Sequence, residues 1–304
     1  MRIAIVGLGP AGASLTHFLR GTRHDVSLYD YRSRLGKPCG NAFAPNIIVP
    51  RNLIRTTVKR LVVNFGKKQM VLNKGPLFNV VDKPGLMQRL VEGYDVMREM
   101  AAPEILLKHY DVVVDARGPS AVRNPSIPTP YQVKISDPKW PQDEAFMNFD
   151  MRRMGYLWIF PQGGDNVAIG AGYLRDERKY AVDIVKRYVD QRNGKILSVE
   201  GAPIATKLKL DVGAGNLVRI GEAAGFIHHI TMEGNRPAVE SAFELSRTIN
   251  DLDAYRERAQ RLFRMVLGSA WLSKHPLLAG MFVTSTRVWL TMRSLSLLRT
   301  IRVG

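Results

Sequence analysis

Three glycines open the chain in the run Gly7-Leu8-Gly9-Pro10-Ala11-Gly12, a spacing that lets main chain cradle a pyrophosphate. Gly7 suits a tight turn, Gly9 leaves room for phosphate against the backbone, and Gly12 lets a helix pack closely on a strand. Pro10 and Ala11 fall where that helix begins, and its free N–H groups and positive dipole end favour anions. Asp30 follows Gly9 by 21 residues, where an acid can hold a ribose hydroxyl. Two later runs again set small residues and an acid behind apolar segments: Asp115-Ala116-Arg117-Gly118 and Gly221-Glu222-Ala223-Ala224-Gly225. A nicotinamide dinucleotide rarely needs these extra stations, whereas the longer FAD needs a late strand for its ribityl chain, so the expected cofactor is FAD. Proton chemistry has fewer candidates. Cys39 is the single cysteine, which excludes an internal disulfide and suits a reducing compartment. His228 and His229 are adjacent, and histidine titrates near neutrality.

The elements around these residues read as α/β. Arg2–Val6 is an apolar, β-branched run expected as a buried parallel strand, followed by a helix over 13–20 and a strand over 24–30. Strands are expected at 111–114 and 217–220. Segments 61–65 and 69–72 flank Gly66-Lys67-Lys68 as a hairpin that should join a second sheet with strands near 132–135, 145–150, 156–160 and 167–171. Helices are expected over 176–191, with Asp176 as N-cap and Tyr180, Ile184, Val185 and Tyr188 on one face, and over 237–250. From 251 onward two or three helices are expected, broken near His275-Pro276. The expected architecture is an FAD-binding Rossmann-like domain (1–50, 76–125 and 213–250), an inserted mixed or antiparallel β-sheet substrate domain (51–75 and 126–212) and a C-terminal basic helical segment (251–304).

Several motifs, in order, resemble the geranylgeranyl reductases, within the flavoprotein group that also holds aromatic hydroxylases and flavin halogenases. Lys37-Pro38-Cys39-Gly40 is similar to their K-x-C-G motif. Tyr156-Leu157-Trp158-Ile159-Phe160-Pro161 with Gly170-Ala171-Gly172 resembles Y-x-W-x-F-P…G-x-G, and Thr231-Met232-Glu233-Gly234 with Arg236-Pro237-Ala238 resembles T-G-E-G-I-R-P-A. The departures are Glu222 for Asp, Asn41 for Glu, Met232 for Gly, Asn235 for Ile, and His228-His229 for Asn-Pro.

The resemblance implies reduction of isolated C=C bonds in prenyl chains, with the flavin ring between the two domains. It implies contacts to FAD from Lys37, Cys39, Gly40, Gly118 and Glu222, and from Gly234 and Asn235 at a helix N-terminus. Lys83 stands near the position of an arginine that contacts the FAD phosphates in related flavoproteins. Cys39 becomes a proton donor or relay, beside the plainer reading of a small buried thiol. His228 and His229, which the family lacks, are candidate proton sources or structural histidines. Tyr156, Trp158 and Phe160 alternate, so they share one face of a strand; the signature makes them a prenyl pocket, beside the reading of plain sheet core. Flavin monooxygenase or halogenase activity, or a degenerate lipid-binding relative, are the alternatives.

The chain has 304 residues and a formal charge of +17, of which +8 falls in residues 254–304. That tail interleaves arginines with apolar residues such as Leu262, Phe263, Trp271, Leu277 and Trp289, a pattern that suits either an anionic membrane surface or a helical lid. Nothing resembles a zinc finger or a nucleic-acid-binding motif, and no metal or nucleic acid is expected. NAD(P)H or a ferredoxin are the open electron donors. No signal peptide or membrane span is read, so the expected location is cytoplasmic, at most peripheral to a membrane.

Overall fold

The computed structural model describes residues 1–73, 75–122, 129–174, 178–205, 209–229, 231–273 and 300–304, with the backbone alone for 265–273. In chain order the first half forms β1 (Arg2–Val6), α1 (Pro10–Leu19), β2 (Asp25–Tyr29), β3 (Ala42–Phe43), β4 (Ile47–Ile48), β5 (Ile54–Val58), β6 (Arg60–Phe65), β7 (Lys68–Leu72), β8 (Phe78–Val81), α2 (Lys83–Val91), β9 (Val96–Met97), α3 (Pro103–Leu106) and β10 (Val112–Asp115). The second half forms β11 (Tyr131–Ser136), β12 (Glu144–Asp150), β13 (Gly155–Pro161), β14 (Asn166–Tyr173), α4 (Arg178–Arg192), β15 (Lys195–Gly201), β16 (Leu217–Arg219), α5 (Asn235–Ser246), α6 (Leu252–Ser273) and β17 (Ile301–Arg302).

Five strands make a parallel sheet in the order β16-β10-β1-β2-β9. β1 and β10 are buried on both faces, which is why they read as unbroken apolar runs. Ile3, Ile5, Val112 and Val114 face the helical layer of α1, α2 and α5, while Ala4, Val6 and Val113 face Leu106 and Tyr110. The connection from β1 through α1 to β2 brings the glycine run to the carboxyl edge of the sheet, where such folds bind ligands.

The second sheet has seven strands in the order β15-β11-β14-β13-β12-β6-β7, antiparallel except for the β12–β6 pair. The expected hairpin is β6–β7, turning at Gly66 with φ +55°. One face of this sheet (Val133, Ile135, Leu157, Ile159, Val167, Ile169) packs on α4, and the other (Val63, Met147, Phe149, Tyr156, Trp158, Phe160) looks toward the parallel sheet. A small sheet, β3-β8-β5, adds Val58 and Val80 to that second face. β17 pairs with β4 and seats Ile301 and Val303 in the core.

The structure differs from expectation in several details. β15 was not foreseen; it is an edge strand with Ile196, Leu197 and Val199 exposed, so it lacks the alternation that marks a half-buried strand. On α4 the buried face is Ala181, Ile184, Val185 and Val189, with Tyr180 and Tyr188 at its margins. α5 starts at Asn235, two residues before the expected start at Pro237, because proline is tolerated in a first helical turn. The proposed cap Asp176, the break at His275-Pro276, and the tail residues Leu277 and Trp289 lie outside the described residues; of Trp271 only the backbone is described.

Candidate functional site

Between the two sheets lies a cleft of about 740 Å³, large enough for a cofactor and part of a substrate. At one end it is lined by Gly9, Pro10 and Ala11, by Tyr31 and Arg32, and by Arg117 to Ser120. Gly7 and Gly12 stand behind this wall and shape it. Gly7 has φ +94°, and a Cβ there would come within 2.6 Å of Ala116 O; a Cβ on Gly12 would overlap Gly7 O. Gly9 is different: a Cβ there would meet no atom within 4 Å, so the main chain borders open room. No side chain caps α1. These residues fit a pyrophosphate, whose oxygens the first N–H groups of the helix can bind. Asp30 and Asp115 are buried beneath the cleft surface. Asp30 accepts the Leu8 N–H at 2.8 Å and the Arg32 N–H at 2.9 Å, and so fixes the glycine run to the end of β2. Asp115 is closed by Arg117 at 2.9 Å. Gly221 lies where a Cβ would press to 2.7 Å of Ala11 Cβ, so its role is close packing under α1.

Glu222 reaches the cleft wall, where Lys37 Nζ meets one oxygen at 2.5 Å and the Ala205 N–H gives the other a hydrogen bond at 2.7 Å. The carboxylate thereby ties the Lys37-Pro38-Cys39-Gly40 loop to the segment at 202–205 that follows β15. Gly118 lies beside it, with φ +65° and its Cβ position 3.8 Å from Glu222 Oε2.

Cys39 is the meeting point of the site. Its Sγ lies 2.8 Å from Lys83 Nζ, accepts the Asn41 N–H at 3.2 Å and has Asn235 Nδ2 at 3.9 Å. Lys83 also donates to Lys37 O. Burial pushes the thiol up, but the charge and hydrogen bond of Lys83, with the donors Asn41 and Asn235, more than offset it and leave the thiol below its ordinary value. Asn41 holds a left-handed backbone at φ +59° and donates its amide to Gln162 Oε1 at 3.0 Å. Gly234, the N-cap of α5, and Asn235 line the cleft, and Asn235 is anchored by Ala42 O at 2.8 Å.

The far wall is apolar. Tyr156, Trp158 and Phe160 project from β13 into the cleft, joined there by Met147, Leu61 and Phe78. Tyr156 donates its hydroxyl to Thr231 O, and burial, with Glu233 and Cys39 nearby, holds the phenol above its ordinary value. Trp158 donates its indole N–H to Gln132 Oε1 at 3.2 Å. Gly40 belongs here rather than at the phosphate end, since its Cβ position lies 2.6 Å from Phe160.

The two histidines are brought near the site but not into it. Both are buried, and neither lines the cleft. Burial pushes His228 down to about 4, Glu233 pulling the other way and Arg236 and His229 adding to the fall; its Nδ1 lies 3.1 Å from Thr231 Oγ1. Gln132 and Gln162 escaped the sequence reading, and Met232 was noted only as a departure. Glutamines carry no spacing signal, but Met232, with φ +52°, occupies the place of a family glycine, and that substitution marked it.

No protein-family model matches the chain. It is similar to "Geranylgeranyl diphosphate reductase" of Synechocystis sp., 22% identical over 82% of this chain and 75% of the relative. It is also similar to "Digeranylgeranylglycerophospholipid reductase 2" of Methanosphaera stadtmanae, 30% identical over 94 residues, 29% of this chain and about a quarter (24%) of the relative's length. Among solved structures, a geranylgeranyl bacteriochlorophyll reductase-like protein of Thermoplasma acidophilum superposes with TM-score 0.74 at 16% identity, over 99% of this chain and 92% of the other. The flavin-dependent brominase Bmp2 superposes with TM-score 0.73 at 14% identity, over 97% and 93%. The fold, a parallel sheet joined to a mixed sheet, is therefore the one shared by geranylgeranyl reductase-like proteins and flavin-dependent halogenases, and the chain resembles geranylgeranyl reductases in sequence.

Proposed function

We propose that this chain is an FAD-dependent oxidoreductase that saturates C=C bonds in geranylgeranyl or related isoprenoid lipid chains. One observation carries the reading: a single cleft unites the open cradle at Gly9, the aromatic wall of Tyr156, Trp158 and Phe160, and the Cys39 thiol against Lys83. The sequence likeness to named geranylgeranyl reductases supports it.

When bound and reduced, FAD supplies a hydride. The chain's own residues supply the rest. Gly9, Pro10 and Ala11 would hold the pyrophosphate, Glu222 and Gly118 the ribityl region, and Gly234 with Asn235 the ring, where the N-terminus of α5 favours negative charge. The aromatic wall binds the prenyl chain and excludes water, which an unactivated alkene requires, because a solvated site would quench cation character at carbon. Cys39 Sγ is the group positioned to move a proton. NAD(P)H or a ferredoxin drawn by the basic surface provides the electrons. Among the described residues no helix is long and apolar enough to cross a membrane, and we assign the arginine-rich tail to peripheral contact with an anionic lipid surface in the cytoplasm.

The test is a visible spectrum of the purified protein, anaerobic dithionite reduction, then addition of a geranylgeranyl lipid. Bound flavin that reoxidises only with lipid, and yields saturated product by mass spectrometry, is the expected result. Reoxidation that requires oxygen would move the assignment to a monooxygenase or halogenase. Failure to bind FAD would leave a lipid-binding relative without chemistry.

A further inference from the structure

Lys83 is an unusual lysine. It is 2% exposed, and it is the first residue of α2. Burying an ammonium is costly without a counter-charge, and the positive end of a helix disfavours a cation further. Among the described residues, the preceding Asp82 and the glutamates that share the cleft lining with Lys83 each already hold a cation. Asp82 pairs with Arg55 at 2.8 Å, Glu222 with Lys37 at 2.5 Å, Glu200 with Lys134 at 3.0 Å, and Glu233 with Arg236 at 3.2 Å. Among the described residues, Lys83 Nζ meets instead Lys37 O and Cys39 Sγ.

We propose that Lys83 is a positioning residue that holds Cys39 as a thiolate, so that the one movable proton of the pair rests on nitrogen rather than on sulfur. Among the described residues the sulfur is the group beside Lys83 able to supply the missing negative charge, and two N–H donors among its remaining neighbours favour an anion, set against one acceptor, Asn41 Oδ1 at 3.7 Å. The Asn41 N–H points at it from 3.2 Å, and the Asn235 amide stands 3.9 Å away. Tyr156, the other ionisable group facing Cys39, keeps its proton engaged on Thr231 O. Glu200 and Lys134 reach the loop only through Gln132, whose amide lies 3.2 Å from Glu200 Oε2 and 3.5 Å from Cys39 O. The lowered thiol agrees with this arrangement. The ionisation state stands on this geometry alone; only its use as a proton store for alkene reduction rests on the function proposed above.

Cys39 is the only cysteine, so every thiol signal belongs to it. The experiment is its alkylation by iodoacetamide across pH, followed by intact-mass spectrometry, with and without FAD. The far-ultraviolet thiolate absorbance of wild type minus Cys39→Ser is a second readout that needs no reagent to enter the cleft. A midpoint below that of a free thiol, about 8.5, is expected. Lys83→Met should return the midpoint to about 8.5 or higher, and Lys83→Arg, which keeps a cation, should hold it low. A purely structural lysine would lower the melting temperature in Lys83→Met and leave the midpoint where it was. That outcome, or a wild-type midpoint at or above the free-thiol value, would overturn the proposal. If Lys83→Met does not fold, the wild-type and Lys83→Arg profiles decide. None of these readouts uses lipid, so failure of the reductase reading is seen separately.

Discussion

The indole of Trp158 lies over the bare Cα of Gly170, its direct cross-strand partner, and a Cβ on that glycine would overlap the ring. The glycine is thus the floor on which one wall residue of the cleft rests. Gly170→Ala should force Trp158 off its place and destabilise the protein by about 1–3 kcal/mol, the usual range for overpacking. Trp158→Leu alone should leave a hole. The double variant should be less damaged than the sum of the two, because each change makes room for or fills the other. Melting curves of the four proteins measure the coupling, and strictly additive losses would show that the ring does not depend on the glycine.

Gly7 and Gly9 sit two residues apart and should fail in different ways. Gly7→Ala places a side chain at φ +94° and within 2.6 Å of Ala116 O, so it should lower the melting temperature of the protein without any cofactor. Gly9→Ala meets nothing in the protein, so the fold should melt within about 0.5 kcal/mol of wild type while FAD affinity falls at least tenfold. Paired melts and FAD titrations separate the two. Unchanged FAD binding in Gly9→Ala would remove the pyrophosphate from this loop.

His228 bears on acid stability rather than on proton supply. Its folded value is about 4, below the ordinary 6.5, so the unfolded chain binds a proton that the folded one refuses. The stabilisation is complete above pH 6.5 and is lost as pH falls from there toward 4, up to about 3 kcal/mol at 1.36 kcal/mol per pH unit. Glu240, raised by burial, acts in the opposite direction, so the readout is the difference between wild type and His228→Gln. Over that window the wild type should lose more stability than the variant. Parallel curves would mean that the histidine is protonated in the folded protein. Being neutral at pH 7 and outside the cleft lining, His228 is a poor proton source.

What the sequence disclosed follows chain proximity. The glycine run, its helix and Asp30 lie within thirty residues, and the turn, the helix start and the acid at the strand end are imposed by backbone geometry, so spacing alone marked their places. The alternation of Tyr156, Trp158 and Phe160 was equally local. The Cys39–Lys83 contact joins residues 44 positions apart, across a small sheet with no periodic signature, and no pattern predicted it. Lys83 was read by analogy with a phosphate-binding arginine, and its actual partner came from topology. Asp30 and Asp115 were recognised as important, but that their oxygens are spent on the chain itself depends on Leu8, Arg32 and Arg117, which composition does not distinguish.

Met232 offers the closing test, because it keeps a left-handed backbone where the resembled family has glycine. A non-glycine residue there costs about 1 kcal/mol or more, and such strain persists where something offsets it. The offset is packing: Met232 joins the aromatic cluster that lines the cleft, and its sulfur lies 3.1 Å from the position a Gly172 Cβ would take. Met232→Gly should therefore relieve the backbone, lose the packing and leave stability within about 1 kcal/mol of wild type. It should also widen the cleft beside its apolar wall, so a prenyl analogue with a bulkier tail gains affinity relative to the natural chain, read by quenching of tryptophan fluorescence. Met232→Ala removes the same packing without relieving the backbone and should be the less stable of the two. If the alanine variant is as stable as the glycine variant, the left-handed backbone carries no strain, and the side chain is kept for the shape of the cleft alone.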